Sequence, residues 1–295
     1  MTDFFLGPFI DNEFLRLSLF ATCIVAVTCA VAGAFVVLRG LSFVGDALAH
    51  GVVPGVAVAL LVGFSGVLGA AIGAAVMMAG VGVVNRRFSL SRDTSIGLLF
   101  VGMLALGVII QSRSASFAGD LTAVLFGEVL GVSWSDIVWQ GVALVAVVGV
   151  AWVCRRPFLL LSVDEGLTAT SGFSPRRYGN IMLAMVALTV VASFQTVGTL
   201  LVLGMLVAPA ATGALFGRRI STVICVAAAV GAVSSYVGLL VSYHADLAAG
   251  ASIVFVAVLM FCLAAVVIEV GRWLGRRRGI RHPHDHPHVH EHVHG

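Results

Sequence analysis

The chain has 295 residues, 60% of them hydrophobic and only 11% charged, with a mean hydropathy of +1.08. A soluble core of this length does not need that much apolar surface, so the composition excludes an ordinary soluble domain and points to a chain embedded in lipid. The net charge of +3 is small, no nucleic-acid partner is expected, and the placement of the charges tells more than their sum.

Apolar runs of about 20 residues recur along nearly the whole chain, each long enough to cross a hydrocarbon core of roughly 30 Å as a helix. The predicted fold is therefore all-α, a polytopic transmembrane helical bundle in the lipid bilayer. The opening "MTDFFLGPFIDNEF" carries acidic residues and no basic region. It is read as an external N-terminal segment, residues 1–16, and not as a cleaved signal. Spans follow near residues 17–38, 41–63, 66–84, 94–111, 137–154, 180–197, 198–216, 220–241 and 250–271, broken at Arg, Gly-Pro and acidic punctuation. The seventh follows the sixth with almost no loop. "SFQTVGTLLVLGMLVAPAATG" thus also reads as one long broken helix or a re-entrant segment, which makes the count eight instead of nine. The membrane domain is residues 17–272, and 273–295 form a cytoplasmic Arg/His-rich tail predicted to be disordered.

The second span contains "GDALAHGVVPG", Gly45 to Gly55. Ionisable groups inside a membrane are costly to place and generally face a partner, a cavity or a substrate path. Asp46 and His50 are four residues apart, so both emerge on one helix face, one turn apart. Pro54 has no N–H for the His50 carbonyl, which is then free to turn toward a ligand. A carboxylate, an imidazole and a carbonyl make a partial coordination sphere for a hard-to-borderline metal ion. The competing reading is a packing pair bonded to itself or to a neighbouring helix. Ligation by two side chains needs further ligands from elsewhere. The candidates are Asp120 and Glu128 in the outer stretch 111–136, and His244 and Asp246 in "SYHADLAAG" at the outer end of the eighth span.

The stretch 111–136 reads as a helix lying at the interface or dipping partway in. The inner loop 155–180 is too polar to span; it reads as a short amphipathic helix opened by Asp164 and Glu165, where negative charge suits the helix dipole, and ended by Gly172 and Pro175. Such a helix either docks in a partner's groove or is a solvated connector. The tail "RHPHDHPHVHEHVHG" offers His282, His284, His286, His288, His290, His292 and His294, an accessory set of imidazoles for zinc, copper or nickel. The five cysteines stand singly in apolar stretches and read as core residues.

All 17 basic residues are arginine, and with nine spans all but Arg16 and Arg113 fall on one side. By the positive-inside bias that side is the cytoplasm, with the N-terminus outside and the C-terminus inside. No P-loop, GxSxG, HExxH or CxxC pattern occurs, so no enzyme activity is expected and energy must come from a partner or an ion gradient.

Four stretches carry a family resemblance: "VLRGLSFVGDALAHGVVPGVAVALLVG" (37–63), "SVDEGLTATSGFSPRRYG" (162–179), "TVGTLLVLGMLVAPAATGALF" (196–216) and "SYHADLAAGASIVFV" (242–256). The chain resembles, over roughly residues 14–272, the membrane permease subunit of bacterial manganese/zinc (and iron chelate) ABC importers. The resemblance implies a multi-pass protein of the bacterial cytoplasmic (inner) membrane, acting as a homodimer with a metal path at its centre. It also implies two copies of a cytoplasmic ABC ATPase and an extracytoplasmic metal-binding protein. The cargo is Zn2+ or Mn2+, with no cofactor held permanently, and the His-rich tail inclines the choice toward zinc. Carried over by position, Asp46 and His50 match the family's Asp-x-x-x-His transport-path ligands. Asp164, Glu165 and Gly172 match the loop that couples to the ATPase, Pro209 a helix-breaking proline, and Asp246 and Gly250 an Asp-Leu-Pro-x-Gly pattern whose proline is replaced here by Ala248. The alternatives from other classes are a stand-alone secondary transporter exchanging metal for protons through Asp46 and His50, and a membrane hydrolase, which has only scattered acids behind it.

Overall fold

The computed structural model describes residues 2–88, 92–112, 129–217 and 219–279. Within that range the chain forms eleven α-helices and one 3-10 turn, with no strand among the described residues. They are α1 (Thr2–Asp11), α2 (Glu13–Leu38), α3 (Ser42–Val62), α4 (Gly66–Phe88), α5 (Arg92–Gln111), the 3-10 turn Val129–Gly131, α6 (Trp134–Val153), α7 (Arg155–Val163), α8 (Glu165–Thr170), α9 (Pro175–Phe216), α10 (Ile220–Ala245) and α11 (Ala249–Gly279). All-helical structure is what lipid requires, since every backbone N–H and C=O must find its partner within the segment. Among the described residues, seven stretches are long and apolar enough to cross a membrane: α2, most of α4, α6, the two parts of α9, α10 and most of α11. Two shorter apolar helices, Phe43–Ala59 and Thr94–Ile110, lie on the second and fourth predicted spans.

The helix α2 is the hub. Its most apolar window is 72% buried, against 17% for that of α11, and it packs on α6, α9 and α10. Alanines, one glycine and small polar residues give it a surface that neighbours approach closely. A methyl group on Gly33 would stand 2.0 Å from the carbonyl oxygen of Leu206 in α9. The same device joins α3 to α4, where a methyl on Gly55 would lie 2.1 Å from the Gly69 carbonyl oxygen.

The 42-residue α9 covers the sixth and seventh predicted spans. It is interrupted at Gly198 (φ 71°, ψ 167°), a backbone state open essentially to glycine alone. The predicted break at Pro209 is thereby corrected: Pro209 is buried inside the second part of α9. Proline deletes one helical hydrogen bond but keeps a helical φ, so a packed helix runs through it, whereas φ 71° does not belong to any helix. The inner loop also differs from the single helix expected. Its apolar start forms α7, and α8 begins afresh at Asp164, whose extended backbone (φ −161°, ψ 138°) parts the two.

Candidate metal path and inner loop

Asp46 and His50 sit in the first half of α3, with His50 Nε2 3.3 Å from Asp46 Oδ1. About a quarter of each side chain is exposed, 25% for Asp46 and 22% for His50. The rest of α3 explains why this face is left open. Its glycines turn toward other helices: Gly45 meets Leu206 of α9, and Gly51 meets Met77 of α4. Across from His50, the Phe100 ring of α5 stands edge-on at 5.3 Å, and Gly107 of the same helix lets it close on Val53 and Pro54. Among the described residues, His50 Nδ1 is buried without a hydrogen-bond partner. A buried ring nitrogen left unpaired has a free-energy cost, which singles the residue out from an ordinary satisfied core histidine. The pair presents one carboxylate and one imidazole to the open face, two donors suited to Mn2+ or Zn2+. Pro54, inside α3, leaves the His50 carbonyl without its N–H.

The other predicted ligands do not join them. His244 and Asp246 are exposed where α10 ends, with His244 Nδ1 2.9 Å from the Leu240 carbonyl and Asp246 in the left-handed region (φ 51°, ψ 40°). That helix packs on α1, α2, α9 and α11. Among the described residues no group of three His, Cys, Asp or Glu side chains converges on one point. Asp120, Glu128 and the seven tail histidines lie outside the described residues.

In the predicted inner loop, Asp164 caps α8 by accepting the Leu167 N–H at 2.7 Å. Gly172 (φ +83°) ends it in a Schellman motif: the Gly172 and Phe173 N–H groups donate to the carbonyls of Ala169 and Thr168, each at 3.1 Å. Glu165 reaches sideways to α2, its Oε1 2.7 Å from Arg39 Nη2. Phe158 of α7 is fully buried edge-on to Phe35 of α2 at 5.3 Å. The short helices are therefore anchored on the C-terminal end of α2.

Sequence reasoning missed three of these residues. Arg39 was read only as a topological marker, and its partner lies 126 residues away. Phe100 carries no signal that separates it from any span aromatic. Gln140, uncharged, passed unnoticed inside the fifth span. It is buried and its amide donates to Thr196 Oγ1, just before the Gly198 break, tying α6 to α9.

The sequence profile of the ABC 3 transport family matches residues 11–268. The chain is 36% identical over 260 residues to the manganese transport system membrane protein MntC of Listeria innocua, covering 88% of this chain and 92% of that one. It is 33% identical to a "Probable iron transport system membrane protein" of Haemophilus influenzae, covering 90% and 97%. Among solved structures, PsaBC from Streptococcus pneumoniae in complex with Fab superposes with a TM-score of 0.80 at 30% identity, covering 90% of this chain and 95% of that one. With its helical spans and relatives named as transport-system membrane proteins, the molecule is a multi-pass permease of the bacterial inner membrane. The chain belongs to the ABC 3 transport family.

Proposed function

We propose that this permease is the membrane-spanning subunit of an ATP-driven importer of a divalent transition metal, with Mn2+ as the cargo. The observation that carries the reading is the Asp46–His50 pair on an open face of an otherwise apolar helix, with the buried Nδ1 of His50 unpaired among the described residues. Manganese is favoured because the relatives named for a metal include a manganese permease and the donor set is one carboxylate and one imidazole, with no thiol among them. Two side chains do not complete a coordination shell, so a second copy of the chain, meeting the first at this face, supplies the rest. An extracytoplasmic binding protein delivers the ion at the outer ends of the helices, where His244 and Asp246 are exposed. A pair of cytoplasmic ABC ATPases docks on α8, and closure of the two ATPases rocks the permease halves so that the ion passes inward. The tail histidines are an accessory metal store at the cytoplasmic end.

The test is uptake of radioactive Mn2+ into vesicles that hold the chain with its ATPase and binding protein. Asp46→Ala and His50→Ala are each expected to lower uptake about tenfold or more, since a charge-assisted contact is worth roughly 1.5–3 kcal/mol. Wild-type rates in both variants would remove the ligand assignment, and faster Zn2+ uptake in competition would replace the cargo. A chain shortened to residue 279 is expected to keep uptake and lose retention on an immobilised Ni2+ resin.

A further inference from the structure

The inner end of the molecule holds an ion pair that the transport reading does not use. Arg39 opens the turn between α2 and α3, and its side chain is only 7% exposed. Glu165, the first residue of α8, is 62% exposed, so the carboxylate comes from the wet side to a guanidinium already packed in the protein. At 2.7 Å, Nη2 to Oε1, this is a charge-assisted contact partly shielded from water, stronger than the exposed pairs that contribute little.

What lies on each side of the pair gives it a direction. Toward the cytoplasm, Glu165 belongs to a six-residue helix fixed at both ends, by the Asp164 cap and by the Gly172 turn. Toward the membrane, α2 ends in a Schellman motif centred on Gly40 (φ +71°), whose N–H donates to Val37 O at 3.0 Å while Leu41 N–H donates to Val36 O at 3.0 Å. Val44 N–H then bonds back to Leu41 O at 2.9 Å, so α3 starts with no slack segment. Asp46 is one turn into α3 and His50 two turns. An ion pair and a short hydrogen-bonded turn therefore connect α8 to the helix that bears the metal pair.

We infer that Arg39 and Glu165 are the link that converts movement of α8 into reorientation of α3, with Arg39 as a positioning residue for the Asp46–His50 pair. The inference rests on the transport reading and on α8 as the ATPase-docking helix. It assigns the link to one contact, beyond the docking itself.

The experiment uses the assembled transporter in vesicles, with ATP hydrolysis and radioactive Mn2+ uptake measured together, and ATPase co-purification measured separately. Arg39→Gln removes the buried cation and leaves Glu165 in water. It is expected to keep ATPase binding and hydrolysis while uptake falls about tenfold, so that fewer ions enter per ATP. The exchanged pair Arg39→Glu/Glu165→Arg is expected to recover most of that ratio. Unchanged ions per ATP in Arg39→Gln would overturn the link. So would a parallel fall in hydrolysis and uptake that the exchanged pair does not reverse, because that pattern belongs to general damage. A wild-type assembly that hydrolyses ATP but takes up no metal would bring down the transport reading itself, a result distinct from either.

Discussion

At the scale of single residues, the question is whether Asp46 acts by its charge or by its fit. An aspartate that only packs is replaced well by asparagine, which has the same shape and still hydrogen-bonds His50. A ligand is not, because the carboxylate charge is what the cation needs. Asp46→Asn is therefore expected to lower Mn2+ uptake about tenfold with no change in melting temperature, measured on the purified protein. Uptake retained in Asp46→Asn would return the pair to a packing role. The pair was legible in the sequence because polar groups four apart stand out against an apolar run. Arg39 was not, because an arginine at the inner end of a span is what the positive-inside bias places there anyway, and nothing local announces a partner 126 residues on.

At the scale of helices, α9 shows where sequence and structure part. The near-absence of a loop between the sixth and seventh predicted spans was visible, and a long broken helix was one of the readings it left open. Proline drew attention to Pro209 because it is the usual breaker, while the break itself sits at a glycine whose positive φ no local pattern announces. Gly198→Ala places a β-carbon in a backbone region that costs about 1–3 kcal/mol for other residues. It is expected to lower the melting temperature and weaken the join between the two parts of α9, whereas Pro209→Ala is expected to be mild. Equal effects of the two would count against the hinge at Gly198. The inner loop was readable as helical with a glycine stop; that it divides at Asp164 follows from the aspartate's preference for capping a new helix over continuing an old one.

For the molecule as a whole, the arginines make a topological prediction that side-chain labelling checks. Placing all but Arg16 and Arg113 inside requires an odd number of crossings. A single cysteine introduced at Ala248 in the turn after α10, in a chain whose own cysteines are replaced by alanine, is expected to react with a membrane-impermeant maleimide from outside intact cells. One introduced at Gly172 is expected to react only after the membrane is opened. The reverse pattern would invert the topology and with it the proposed sites of metal delivery and ATPase docking. The bundle was foreseeable from apolar run length, since lipid forces helix on any long apolar segment. Which helix occupies the centre was not, because α2 and α11 are both strongly apolar and differ in how much neighbours cover them.

The central place of α2 has a consequence for the order in which the protein is made. It is made more than a hundred residues ahead of its neighbours α9 and α10, so it must wait for them in lipid. Its hydroxyls are arranged for that wait. Ser18 donates to Phe14 O at 2.7 Å, Thr22 to Ser18 O at 2.8 Å and Thr28 to Ile24 O at 2.8 Å, each satisfied within the helix itself. A hub that borrowed those bonds from later helices would expose bare polar groups to hydrocarbon during synthesis. By keeping them, α2 sits stably in the membrane before those partners arrive, and apart from the Arg39–Glu165 pair at its end they supply mainly shape.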